Sequence, residues 1–491
     1  MFFLIQCARS ASRNLLRNTG SHLDGSKSLK GVCMKKRTVG KVVIVMAAFL
    51  MLATAAYAEI TNTSGLYFRL RQETWDNIFD MNKVDVSSPT PPARPDETYW
   101  RLKTSVWDKL DFDKQYGIFA KITNEARYFM TSNTAAQVGL VGDEFLFDNL
   151  YVYAKRPAGI PVDLTIGRQD FLGTYGEGFL IMDGTPLDGS RTFYFNAARA
   201  LVTVNDRYNV DLAYLFTQEN DGALTSYSYY KQQTFGFEKR PLNSYDEKAA
   251  VVYARGKVTD NVTVEPYYIW KEEATPTSRP TTSNPALRLN TYGVRAVVGF
   301  GEGWKARAEY ALQSGEYNDS ANTKREGSGG YVYVGRSYDK VSLKPSWDLG
   351  YITMSGDDQS TSKNEGWDPL FSRYPQISEL YALTLATETG IPAYWSNIKI
   401  YRALVRINPT EESRLELSYN LLQADKTFAA GALFSGTDKD RGQLITAKLY
   451  RKFSPTLDGY VTIEQFLPGD FYAATNQFDA QFVRWELQWK I

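Results

Sequence analysis

Apolar and polar residues alternate at every second position through most of this chain, which is the period of a half-buried strand. The closing stretch, FVRWELQWKI (482–491), shows it most clearly. Val483, Trp485, Leu487, Trp489 and Ile491 fall on one face, and Arg484, Glu486, Gln488 and Lys490 on the other. Leu66, Phe68 and Leu70 alternate with Arg69, Arg71 and Glu73. Trp100, Leu102 and Val106 alternate with Arg101, Lys103 and Ser105, and Ile118, Ala120 and Ile122 with Lys121, Glu125 and Arg127. The pattern returns at Leu212–Phe216, Leu415–Leu421 and Ile445–Leu449. Helical periodicity is nearly absent. Counting such segments predicts roughly eighteen strands, with the weakest alternation near 328–336 and 377–388.

Short connections rich in Gly, Pro, Asn and Asp (109–117, 257–262, 299–304, 408–413, 452–458) alternate with long polar ones (80–97, 271–286 and 356–393). One strand with an apolar and a charged face fits two folds: a soluble sandwich, or a membrane barrel whose apolar face meets lipid and whose charged face meets a wet lumen. An even strand count and the contrast between short and long connections point to the barrel. The predicted fold is therefore all-β, a transmembrane antiparallel barrel of about eighteen strands in the cell outer membrane.

Residues 34–58 carry a basic cluster (Lys35, Lys36, Arg37, Lys41), an apolar run from Val42 to Leu52, and the small-x-small triplet Ala56-Tyr57-Ala58. This is the layout of a cleaved secretory signal peptide. The expected division is a non-native N-terminal extension at 1–33, the signal peptide at 34–58 and one barrel domain at 59–491. Cys7, Cys33 and the sole histidine, His22, all precede the cleavage site. The exported chain then has neither residue type, which excludes disulfides, thiolate or histidine catalysis, haem attachment and Cys/His zinc sites. No paired-acid motif stands out, so neither an enzymatic activity nor a cofactor is expected. Aromatics make up 14% of the chain, with 33 Tyr and 26 Phe, and the net charge is only +1. Nothing in this balance supports nucleic-acid binding.

Three stretches resemble the alginate export family of outer-membrane proteins: LTIGRQDFLGTYGEGF (164–179), PLDGSRTFYFNAAR (186–199), and WDLGYITMSGDDQ (347–359) followed by GWDPLFSRYP (366–375). The resemblance implies an eighteen-stranded barrel whose electropositive pore passes an anionic polysaccharide. It also draws Arg168 and Arg191 into the pore-lining set. Ile491 departs from the terminal Phe usual in such barrels.

Strand parity places Arg69, Arg71, Arg101, Lys103, Lys121, Arg127, Arg295, Arg307, Lys344, Arg402, Arg406, Arg414, Lys448 and Arg484 in the lumen. Facing them are Glu73, Glu125, Glu309, Glu416, Glu464, Glu486, Asp211 and Asp348. A basic lumen favours anions, and arginine forks suit carboxylates. Arg69, Arg71, Arg101 and Arg127, with Arg402 and Arg406 contributed by a later strand, are expected to set selectivity as one lumen patch, whereas ion pairing that braces the barrel is the competing role for each. Glu486→Gln is expected to assemble well.

Asp357, Asp358 and Asp368 form at most a weak loop calcium candidate, so no metal is predicted. The glycines at 173–178 suit a turn or pore constriction rather than a nucleotide loop. Expected partners are outer-membrane lipid, the barrel assembly machinery, and an anionic solute or polysaccharide. The alternative is a barrel sheath around a periplasmic partner such as a multihaem electron carrier, which would have to bring its own haem ligands.

Overall fold

The computed structural model describes residues 59–79, 81–82, 96–131, 139–142, 145–182, 195–218, 246–275 and 285–491. The proposed extension 1–33, the signal segment 34–58 and Arg191 lie outside them. The strands in order are β1 (Ile60–Asp76), β2 (Glu97–Phe112), β3 (Tyr116–Thr131), β4 (Gly139–Gly142), β5 (Leu146–Lys155), β6 (Val162–Gln169), β7 (Phe195–Thr203), β8 (Tyr208–Thr217), β9 (Glu247–Thr259) and β10 (Val262–Glu273). They continue as β11 (Leu287–Phe300), β12 (Trp304–Tyr317), β13 (Lys324–Ser337), β14 (Ser346–Met354), β15 (Ile398–Thr410), β16 (Ser413–Gln423), β17 (Asp440–Lys452), β18 (Leu457–Pro468) and β19 (Ala480–Lys490).

Apart from β4 and β5, each strand pairs antiparallel with its neighbours in sequence, and β19 pairs back onto β1, so the sheet closes. β4 and β5 lie along the same edge of β3, opposite 126–129 and 116–123 respectively. They make one interrupted wall strand, and the nineteen segments form an eighteen-stranded barrel. Closure leaves the sheet without a first or last edge strand, which is the condition for a sheet to cross a bilayer.

The alternation seen in the sequence becomes an outside and an inside. Val106, Leu312, Leu349 and Ile463 are 53–57% exposed on the outer surface, while Arg69, Arg71, Glu73 and Lys103 on the lumen side are 0–1% exposed. On β19, Val483 faces outward while Arg484 and Glu486 are buried inward. The short connections gather at one end: Asp113 and Lys114 take φ of 50° and 58° to turn β2 into β3. The same end holds both the start of β1 and the finish of β19.

Two regions of weak alternation resolve differently. Residues 328–336 lie within β13. Residues 377–388 do not form a strand but largely coincide with α1 (Glu379–Thr389), the one α-helix among the described residues. Ser378 accepts a hydrogen bond from the Tyr381 amide at its start, and Gly390 takes φ 76° at its end. These are the ordinary start and stop signals of a helix.

Leu487 sits opposite Leu70 midway along β1, with its apolar face outward. Leu487→Arg should lower barrel stability by about 2–4 kcal/mol, the range for a cation near a bilayer midplane. Gln488→Glu, one residue along, facing the lumen and opposite Arg69, should assemble normally. Heat-modifiable gel migration of the membrane-extracted variants reads the difference, and equal tolerance at both positions would overturn the facing assignment.

Candidate functional site in the barrel lumen

The wall where the barrel closes is a ladder of charges. Pairing between β1, β2, β3 and β19 sets Glu486, Arg71, Arg101 and Arg127 in one cross-strand row, and Arg69, Lys103 and Glu125 in the next. Like charges directly opposite repel, and here three arginines stand side by side. Three carboxylates offset this. Glu73 accepts from Tyr99 Oη at 2.5 Å and pairs with Arg71 at 3.1 Å, Arg101 at 3.2 Å and Arg484 at 2.8 Å. Glu125 pairs with Arg69 and Arg101, both at 2.9 Å, and with Arg127 at 3.5 Å. Glu486 meets Arg71 at 2.5 Å and Arg69 at 3.9 Å. Lys121 pairs with Asp148 at 2.8 Å on the neighbouring wall.

The opposite side of the lumen is filled by chain rather than by charge. After β6 the backbone turns inward as loop A (described through Met182), with Phe171, Tyr175 and Phe179–Met182 no more than 1% exposed. Its Gly176 has φ 57°, donates its amide to Tyr253 Oη at 3.1 Å, and lies so close to Glu309 that a Cβ there would sit 2.7 Å from the carboxylate. Glu177 pairs with Arg295 at 2.8 Å and Arg307 at 3.3 Å.

Loop B, residues 355–397 between β14 and β15, carries α1 across the lumen. Glu464 accepts from Ser378 Oγ at 2.5 Å and the Leu380 amide at 3.0 Å. Glu379 pairs with Arg484 and Glu388 with Arg441, each at 2.6 Å. The loops also join each other, since the Phe371 amide donates to Ile181 O at 3.1 Å. Together with Trp367, Trp395 and the lumen faces of the wall strands they form one apolar cluster.

Two spaces remain. The inner chamber, about 400 Å³, lies toward the short-turn end. Its wall carries seven carboxylates (Glu177, Asp348, Glu379, Glu416, Asp458, Glu464, Glu486) and five cations (Arg71, Arg307, Arg402, Arg406, Lys448). Pairing decides which of these remain available. Asp348 is held by Arg307 and Arg406 at 3.1 and 2.8 Å, Glu416 by Arg414 at 2.8 Å, and Asp458 by Lys490 at 2.9 Å. Arg402 and Lys448, by contrast, have no carboxylate within 4.0 Å among the described residues. Lys448 rests 4.0 Å above the Tyr460 ring and 4.8 Å above that of Tyr450. The outer vestibule, about 460 Å³, lies toward the long-loop end and is lined by Tyr317, Asp368, Arg373 and Tyr394 among others.

An alginate export family model matches residues 87–484. The chain belongs to the alginate export family. No curated protein matches it. Among solved structures it is similar to Pseudomonas aeruginosa OccK5 (OpdH), with a TM-score of 0.52 and 10% identity over 88% of this chain and 98% of that one. P. aeruginosa OccK2 (OpdF) in complex with glucuronate gives the same four values. Acinetobacter baumannii OccAB1 gives 0.51, 11%, 88% and 96%. These neighbours are outer-membrane porins, and at such identity the likeness speaks for the fold. This member of the alginate export family is an outer-membrane β-barrel and a channel for solutes.

In this family barrel most of the basic residues read from the sequence fall into three groups. Arg69, Arg71, Arg101, Lys103, Lys121 and Arg127 stand on the ladder wall. Arg295 and Arg307 pin loop A, while Arg402 and Arg406 face the chamber. Arg168, at the end of β6, donates to Phe147 O at 3.0 Å and Asn196 Oδ1 at 3.3 Å. Lys344 is a correction: it lies in the turn between β13 and β14 with φ 40°, outside any strand, so strand parity does not apply to it.

The three aspartates do not converge either, and no metal-holding group of acids occurs among the described residues. Asp357 accepts from the Glu365 amide at 3.0 Å. Asp358 pairs with Lys426 at 2.7 Å, and that ammonium with the Ser360 hydroxyl holds its carboxyl well below the usual range. Asp368 is buried, which by itself would raise its pKa, but Lys271, Arg325 and Arg373 outweigh burial and lower it. Arg373, Glu388 and Arg441 escaped sequence reading because the first two lie in loop B, where parity gives no direction, and the partner of the third is on that loop.

Glu486→Gln is a second correction. Its carboxylate is 2% exposed and shared by two arginines, so the change does not touch an idle wet face. Glu73→Gln should cost more still, because three arginines lose their shared partner. Removing one member of a buried pair costs about 3–5 kcal/mol, and thermal unfolding in detergent should show Glu73→Gln as less stable than Glu486→Gln. Parent-like stability would mean that the ladder does not hold the closing wall.

Proposed function

We propose that this outer-membrane channel passes small anionic solutes, carboxylate-bearing ones above all, through a lumen whose available charge is positive. The observation that carries this reading is the chamber's pairing imbalance: six of its acids have cation partners and Glu464 is tied up at the start of α1, while Arg402 and Lys448 are left without a carboxylate. A guanidinium with free donors binds carboxylate in a forked geometry, and cations in a narrow low-dielectric bore raise the local anion concentration. The glucuronate in the OccK2 complex is an acid of this kind, bound by a barrel of similar fold.

The chamber's volume lies within the range of small-ligand sites, roughly 300–1,000 Å³, so the reading is for small anions; a polymer would need loops A and B displaced. A sheath around a haem carrier would need an open bore, which those loops fill. The passage is transport and not catalysis. The exported form is taken to start at Glu59, after Ala56-Tyr57-Ala58, and N-terminal sequencing of the outer-membrane protein checks this.

Reversal potentials across a salt gradient test the selectivity. The parent channel should prefer anions at low salt and lose that preference as ionic strength rises and screens the wall. Arg402→Gln with Lys448→Gln should lower the anion-to-cation permeability ratio by roughly fivefold per charge removed, the effect of one unit charge near 4 Å in water. An unchanged ratio in the double variant, or cation preference in the parent, would contradict the proposal.

A further inference from the structure

We infer that the permeation path crosses loop B between Arg373 and Tyr374, and that Arg373 is the specificity-determining cation at that crossing; this rests on the channel reading above.

The argument begins with two consecutive residues. Arg373 lines the outer vestibule and Tyr374 lines the inner chamber. The two spaces are therefore separated here by a single thickness of chain. That chain is irregular: residues 372–378 belong to neither strand nor helix. It is anchored at its two ends, by the Phe371 amide on Ile181 O at 3.1 Å and by Ser378 on Glu464 at 2.5 Å. Between them the Tyr374 carbonyl is held by Trp395 Nε1 at 2.7 Å. The anchors fix the backbone of the septum and leave the two side chains to decide what passes.

Among the described residues the ladder wall offers no comparable route. The ladder side is packed with ion pairs whose members Arg69, Arg71, Glu73 and Glu125 are 0–1% exposed. On the septum, Arg373 is half-buried, donates to the carbonyl of its neighbour Ser372 at 2.6 Å, and stacks 5.1 Å from the Tyr394 ring centre. No carboxylate lies within 4.0 Å of it among the described residues. A stacked guanidinium keeps its planar edge free to donate, which suits a passing carboxylate and repels a cation. Below it, Arg402 and Lys448 continue the series in the chamber. A solute entering from the long-loop side would meet Arg373 first and then pass Tyr374 to reach those two.

Cysteine substitution tests the path directly, because Cys7 and Cys33 are the only cysteines in the chain. In a Cys7→Ser, Cys33→Ser background, Arg373→Cys and Tyr374→Cys channels are placed in planar bilayers and exposed to an anionic methanethiosulfonate reagent on one side at a time. Modification should step the current down in both. The cysteine at position 373 should react faster from the long-loop side, and the one at position 374 faster from the short-turn side. Independently, Arg373→Gln should lower the anion-to-cation permeability ratio roughly fivefold, and Arg373→Lys should restore most of it.

Current unaffected by modification at both positions, or an Arg373→Gln channel with the parent's ratio, would overturn the inference. The two readings fail separately. A parent without anion preference whose current is still blocked at 373 and 374 contradicts the anion proposal and upholds the path. An anion-selective parent that is not blocked there does the reverse.

Discussion

The barrel depends on three buried carboxylates, Glu73, Glu125 and Glu486, at the place where its last strand meets its first. The register of β19, β1, β2 and β3 puts Arg71, Arg101 and Arg127 abreast, with Arg69 and Lys103 in the adjoining row. Without the carboxylates, closing the sheet would press like charges together in a poorly hydrated wall. With them, Arg69, Arg71 and Arg101 each find an acid supplied by another strand. Glu73 alone joins residues of β1, β2 and β19. The seam thus acts as a cross-strand clasp whose strength lies in its sharing, since removing one acid strands several bases at once.

Once the wall is closed, the bore has to be narrowed. An eighteen-stranded barrel is wide enough to leave an aqueous channel, and loops A and B reduce it to a vestibule, a septum and a chamber. Both loops are held by the same chemistry as the seam, with Glu177 reaching two wall arginines and Glu379 and Glu388 each reaching one. Most lumen charge is consumed in this construction. Among the described lumen residues Arg373, Arg402 and Lys448 have no carboxylate within 4.0 Å, and on the proposed reading these are the charges that a solute meets.

This division explains what could be read from the sequence and what could not. Period-2 alternation reports facing, so the barrel, its strand count, its outward face and its short and long connections were all legible from residues such as Leu487 and Arg484. Alternation says nothing of partners. Parity placed Arg69 and Arg402 alike in the lumen, yet one is enclosed by two acids and the other by none. The difference arises from register and from loops folding inward, which bring together residues hundreds of positions apart, such as Arg71 and Glu486. The helix α1 did have a local signature in Ser378 and Gly390, but it lay inside a region expected to be strand or loop. Lys344 shows the opposite error, where parity was extended past the end of a strand into a turn.

The central claim is that the cations left unpaired in the lumen, and not the larger number that brace it, set what the channel admits. Liposome swelling with a hexuronate, a hexose and an aminohexose of similar size measures this most directly, because size and fold are held constant and only solute charge changes. The account predicts that at low ionic strength the hexuronate enters fastest and the aminohexose slowest, with the three rates converging as salt is added. Equal rates at low salt, or fastest entry of the aminohexose, would contradict it.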